Sequence, residues 1–173
     1  MTSGNRSRVT SGDRSRAPKV RASLVRVCTR GGPFAGVSAA TVKRRADKML
    51  ASLGLAGAEL SIALVDDTTI HTLNRDYRSK DKPTDVLAFA MEEGEPSPQG
   101  QDVRVLGDVI VSVDTALRQA NRRRRPLLDE ITMLLAHGLL HLLGYDHQTD
   151  EEEREMVTKT RELERAAAAR SGT

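Results

Sequence analysis

The sequence predicts an α+β fold, a small mixed sheet of about four strands with helices packed on it. Three observations carry this. Short apolar runs of strand length dominate the first two thirds of the 173 residues. Apolar residues at helical spacing dominate the last third. Capping residues and glycines punctuate the boundaries between them. Strands that come early and helices that come late, with some interleaving, suit helices packed on one sheet. The length suits one domain with an aliphatic core.

The elements follow in order. Val20 to Cys28 alternates loosely and reads as a strand. Ser38 can cap a helix whose apolar face is Val42, Ala46, Met49 and Leu53, ended by Gly54 and Gly57. Glu59 to Val65 is a strand, and Asp66 or Asp67 caps a helix running to about Tyr77. Lys82-Pro83-Thr84 forms a turn before a short strand, Asp85 to Ala90. Residues 91–103 form a polar loop, and Val105 to Val113 a fourth strand with a possible bulge at Gly107. Asp114 to Asn121 is a short helix, and Arg122 to Arg125 a basic link. Pro126 suits the first turn of a helix running through Leu143, which Gly144 ends. Thr149 with Glu152 forms a capping box for a last helix over about 150–167.

Charge divides the chain unevenly. Residues 1–30 carry eight Lys or Arg and one acid, whereas the remainder carries nineteen and twenty-three. The net charge of +3 therefore says little about the folded part. Residues 1–17 repeat a Ser/Gly/Arg pattern that buries too little apolar area to order itself. They read as a disordered basic extension: an RNA-touching tail, a dispensable extension or an organelle transit peptide. Residues 18–167 then form the single domain, and 168–173 a disordered tail. No run of about 18 apolar residues predicts a membrane span. Cys28 stands alone, which fits a reducing, cytoplasmic location, and its apolar surroundings predict a buried, inert thiol. Two Tyr, two Phe and no Trp are too few for a platform that reads RNA by stacking.

Chemistry concentrates in one segment. His137-Gly138-Leu139-Leu140-His141-Leu142-Leu143-Gly144-Tyr145-Asp146-His147 holds three of the four histidines. Residues four apart on a helix lie about 40° apart and about 6 Å along its axis. His137 and His141 can thus face one metal ion. Gly144 can break the helix and let His147 return to it. Three imidazoles suit one Zn2+ per chain, with a position left open for water. The helix of the C-terminal third is then a zinc-binding helix. The spacing also matches the zinc helix of metzincin proteases, except that Gly138 stands where those enzymes have a glutamate base. No Met-turn is evident, and Met156 falls inside the last helix.

The segment His137 to His147 resembles the signature of the YbeY family, bacterial endoribonucleases of ribosomal RNA maturation. Leu73 to Phe89 and Leu106 to Ser112 resemble that family in the same order. The resemblance covers about residues 18–165, with Ala88 where the family usually has Ser. It implies an α+β fold with zinc on His137, His141 and His147. It implies single-strand-specific RNA cleavage in 16S rRNA 3′-end maturation and ribosome quality control. The partners it implies are rRNA precursor and the small ribosomal subunit, with no DNA and no membrane. The family's functionally important arginine falls on Arg78, whose guanidinium fork suits a phosphate.

Other residues stay open at this stage. Asp146 suits either a hydrogen bond to a ligand imidazole or a cap on the turn after Gly144. Lys80 and Lys82 suit RNA backbone or plain solvent, and His71 reads as an ordinary helix histidine. The run Arg122 to Arg125 reads as a solvated link or a phosphate grip. Tyr145 is expected to pack on the metal helix. The nucleophile is water or the substrate 2′-hydroxyl, and product ends with 2′,3′-cyclic phosphate would mark the second. Recognition through phosphates implies weak sequence preference and strong salt dependence. Two further functions fit the histidines: a zinc metallopeptidase, and a non-catalytic ribosome-assembly factor with structural zinc.

Overall fold

The structure is a computed structural model describing residues 22–91 and 103–170. The extension 1–17, most of the polar loop 91–103 and the last residues of the tail lie outside the described residues. Four strands form one mixed sheet: β1 (Leu24–Arg30), β2 (Glu59–Val65), β3 (Val86–Ala90) and β4 (Val105–Ser112). Their order is β1-β2-β4-β3, parallel except for β3, which runs antiparallel to β4. Five helices join them: α1 (Ala39–Ser52), α2 (Asp67–Arg78), α3 (Val113–Arg123), α4 (Leu127–Leu142) and α5 (Asp150–Ala168). The expected fold class stands.

Alternation along the strands builds two faces. Val25, Leu60, Ile62, Leu64, Val109 and Val111 face the main core, packed with residues of α1, α3, α4 and α5. On the other face Val65 and Leu87 meet Ile70 and Leu73 of α2. Local chemistry sets the helix starts. Ser38, Asp66, Ser112 and Thr149 each accept from a backbone N–H of the first turn, and Thr149 with Glu152 completes the capping box. Asp67 accepts from Ser112 Oγ at 2.6 Å, Thr115 Oγ1 at 2.7 Å and Arg118 at 2.7 Å, tying α2 to α3. Burial pushes the Asp67 carboxyl up, but these three donors outweigh it and hold the group below its ordinary value.

Four expectations need correction. β1 starts later and runs on to Arg30, because its parallel pairing with β2 continues through Arg30–Val65 although the sequence there turns polar. Cys28 is exposed, not buried. Val25 and Val27 take the core face, and the residue beside them points the opposite way, on an edge strand. α3 absorbs Arg122 and Arg123, and ends on Arg124 in the left-handed conformation. The basic run is also no plain solvated link. Arg123 donates to the fully buried Glu130 at 2.8 Å, and Arg125 meets Glu130 at 3.6 Å and Glu164 at 2.7 Å. Burying a carboxylate without such partners would be strongly destabilising.

Gly107 sits where the β2–β4 register shifts, so the expected bulge is present. Its φ is +129°, and a Cβ there would run into the backbone oxygen of Phe89. Gly107→Ala should therefore cost about 2–4 kcal/mol from combined backbone strain and overpacking. Urea unfolding of the two proteins measures this, and an unchanged midpoint would show that the bulge relaxes freely.

Candidate metal centre

α4 is positioned by an apolar surface. Ile131, Leu134, Leu135, Leu139 and Leu140 are buried in the main core. Gly138 lets the helix approach the sheet closely: a Cβ there would lie 2.7 Å from Val109 Cγ1 and 3.2 Å from Val86 Cγ2. His137 and His141, on a neighbouring face, stay half-buried beside β3. The helix ends at Leu142, and Gly144 takes a φ of +91°, which turns the chain back. Tyr145 packs on the core, and His147 comes round exposed.

The turn brings the three rings together. One nitrogen from each of His137, His141 and His147 lies within 4.8 Å of the others. The Nε2 atoms of His137 and His141 are 3.1 Å apart. Zinc–nitrogen bonds of about 2.0–2.1 Å place tetrahedral ligand nitrogens about 3.3 Å apart. The donor set and spacing therefore fit a divalent metal ion. Burial, with the neighbouring His141 and His147, holds His137 below the usual histidine value, against the pull of Asp85. Burial and His147 lower His141 likewise, while a hydrogen bond with the Tyr145 backbone opposes them. Both shifts favour the neutral ring, the form that donates a lone pair to a metal.

Arg78 closes α2, and Ser79 after it is left-handed. Its guanidinium donates to the Ala88 carbonyl at 2.7 Å and lies 5.3 Å from the centroid of the Phe89 ring. The nearby acids are engaged elsewhere: Asp76 pairs with Arg75, and Asp81 with His71. Arg78 has no carboxylate partner among the described residues. With His141, Lys80, Lys82, Thr84 and Asp146 it lines a cleft of about 740 Å³. Three cations against one acid make that cleft electropositive.

The remaining expectations sort clearly. Asp146 caps the turn: it accepts from the His147 backbone at 2.8 Å and from Gln148 at 2.7 Å. Its carboxyl is held below the ordinary value, first by the His147 backbone bond. His71 pairs with Asp81 at 2.7 Å, outside the triad. Cys28 is not among the potential metal donors gathered at the triad. Met156 is buried in α5, where it packs in the main core. Sequence reasoning missed Glu130, which anchors Arg123 and Arg125 two turns before His137. An acid on an apolar helix face was the available signal. It also missed that His137 and His147 open onto a second cleft of about 530 Å³, walled by Arg123, Met133 and Arg161.

The geometry has known counterparts. A family model described as Endoribonuclease YbeY matches residues 36–167. An Endoribonuclease YbeY from Pelotomaculum thermopropionicum is 52% identical over 106 residues, covering 61% of this chain and 70% of its own length. One from Anaeromyxobacter sp. is 48% identical over 140 residues, covering 78% and 70%. One from Syntrophotalea carbinolica is 45% identical over 129 residues, covering 73% and 85%. A solution structure of a Thermotoga maritima protein shares the fold, with a TM-score of 0.56 and 23% identity over 82% of this chain and 89% of its own. On the family match and these identities, the chain belongs to the YbeY family of endoribonucleases.

Proposed function

We propose that this protein is a zinc-dependent, single-strand-specific endoribonuclease that trims the 3′ end of 16S rRNA and takes part in ribosome quality control. Its substrate is rRNA precursor on the small ribosomal subunit, in the cytoplasm. Residues 18–167 act as one catalytic domain, with 1–17 and 168–173 as extensions. The observation that carries the reading is the convergence of three imidazoles beside a cleft that also holds a carboxylate-free arginine.

His137, His141 and His147 would hold the ion. A zinc ion held there would polarise a phosphate oxygen or lower the pKa of its bound water, with that water or the substrate 2′-hydroxyl as nucleophile. Arg78 supplies a permanent charge and a planar fork aimed at the same phosphate. Its bond to the Ala88 carbonyl and its place over Phe89 hold the fork before substrate arrives, so little reorganisation is needed during reaction. Lys80 and Lys82 add charge that draws the backbone into the cleft. No helix is long and apolar enough to cross a membrane among the described residues.

Cleavage of single-stranded and duplex RNA by the pure protein tests this. Arg78→Ala should lower kcat by about a hundredfold or more, the usual cost of losing a donor to developing charge. Arg78→Lys should fall between, since it keeps the charge and loses the fork. Equal activity in all three proteins would reveal a contaminating nuclease and reject the assignment.

A further inference from the structure

We propose that the hollow on the open face of the sheet is a nucleobase pocket, filled by the unpaired base of the nucleotide whose phosphate meets Arg78. The inference rests on the RNA reading of the metal cleft. Strand alternation puts Cys28, Ala63, Ile110 and Phe89 on the face opposite the main core, and α2 covers only part of it. The part that the described residues leave uncovered is a hollow of about 470 Å³. Ala63, Leu73, Tyr77, Phe89 and Ile110 give it apolar walls, and Ser61 and Asp108 add polar groups.

Two observations select a base as the occupant. The first is continuity with the metal cleft. Arg78 lines that cleft, yet its guanidinium lies over the Phe89 ring, which walls the hollow. A phosphate held by Arg78 therefore brings the base of the same nucleotide to the rim of the hollow. The second is Tyr77. It is 69% exposed, the highest value among the large apolar side chains described, and its ring stands edge-on to Phe89 at 5.5 Å. An exposed ring fixed in this way beside a phosphate-binding cation suits base stacking. A base has flat apolar faces and a polar rim. The Asp108 carboxylate can accept from the amino or ring N–H groups that every base edge carries. A paired base cannot reach the hollow, so the pocket also gives single-strand selectivity a physical cause.

The test is a titration of zinc-loaded protein into a short single-stranded RNA bearing 2-aminopurine, whose fluorescence falls on stacking. Wild type should quench the probe at one position of the strand. Tyr77→Ala should relieve the quench and weaken binding by about tenfold, whereas Tyr77→Phe keeps both. Ala63→Trp, which fills the hollow, should also relieve it. Thermal melts show that the variants fold, and the exposed Tyr77 makes that variant the safe one. An RNA abasic at the quenched position should bind wild type and Tyr77→Ala equally. If wild type binds and cleaves RNA but quenching persists in Tyr77→Ala and Ala63→Trp, the pocket is refuted and the endoribonuclease reading stands. If wild type neither binds nor cleaves RNA, the reading itself fails. A sedimentation shift from dimer to monomer in Ala63→Trp would assign the hollow to a second copy and overturn the proposal.

Discussion

His141→Ala should abolish metal retention and lower RNA cleavage by about a thousandfold while leaving the fold intact. Three imidazoles are the donor set gathered at the site among the described residues, and the Nε2 of His141 lies 3.1 Å from that of His137. Deleting one ring leaves two donors that cannot hold the ion against solvent. The loss of several kcal/mol of charge stabilisation accounts for the expected rate. The fold should survive because His141 is only half-buried, while Leu139 and Leu140 beside it keep α4 in the core. Zinc content by mass spectrometry, cleavage rate and a thermal melt of one preparation separate the possibilities. Loss of fold together with zinc would make the site structural. Unchanged cleavage in a zinc-free variant would remove the metal from the reaction.

Gly138→Glu should unfold the domain, or nearly so, and confer no peptidase activity. The histidine spacing matches that of a metzincin in all but this residue, and the structure explains why a glutamate has no place here. A Cβ at Gly138 would meet Val109 at 2.7 Å, and Val109 is fully buried on an inner strand. Alanine adds one methyl group, an overpacking cost of about 1–3 kcal/mol, partly offset by a helix-propensity gain of about 1 kcal/mol. Gly138→Ala should therefore be mildly destabilised. Glutamate adds a longer chain and a carboxylate against valine methyls, for a total of about 4 kcal/mol or more. That is much of the stability of an ordinary domain. Urea melts of both variants and a peptide-cleavage assay decide it. A stable Gly138→Glu protein that cleaves peptides would reverse the functional reading.

Much of the site was legible because its spacing is local. His137 and His141 share one helix, and Gly144 announces the turn that returns His147. The caps Ser38, Asp66 and Thr149 were legible for the same reason, since each acts within one helical turn. Cys28 was misread because burial is a property of a sheet face and its cover. The sequence around Cys28 is apolar, but among the described residues its face at the β1 edge is exposed. The run Arg122 to Arg125 was misread because its carboxylate partner Glu130 lies on the next helix, and Glu164 on the one after.

The aromatic scarcity shows the same division. Counting rings excluded a stacking platform of the common kind. It could not show that α2 and β3 set Tyr77 and Phe89 edge to face beside Arg78. The sequence by itself determined the fold class, the strand and helix order, the metal-binding triad as a candidate and the absence of a base at position 138. These follow from periodicity, capping and spacing within a few turns of chain. Only the tertiary structure decided that Arg78 shares a cleft with His141, that Gly138 faces filled space and that the described residues cover only part of one sheet face. Those facts depend on strand order and register, which join residues far apart in the chain and leave no mark within a local window.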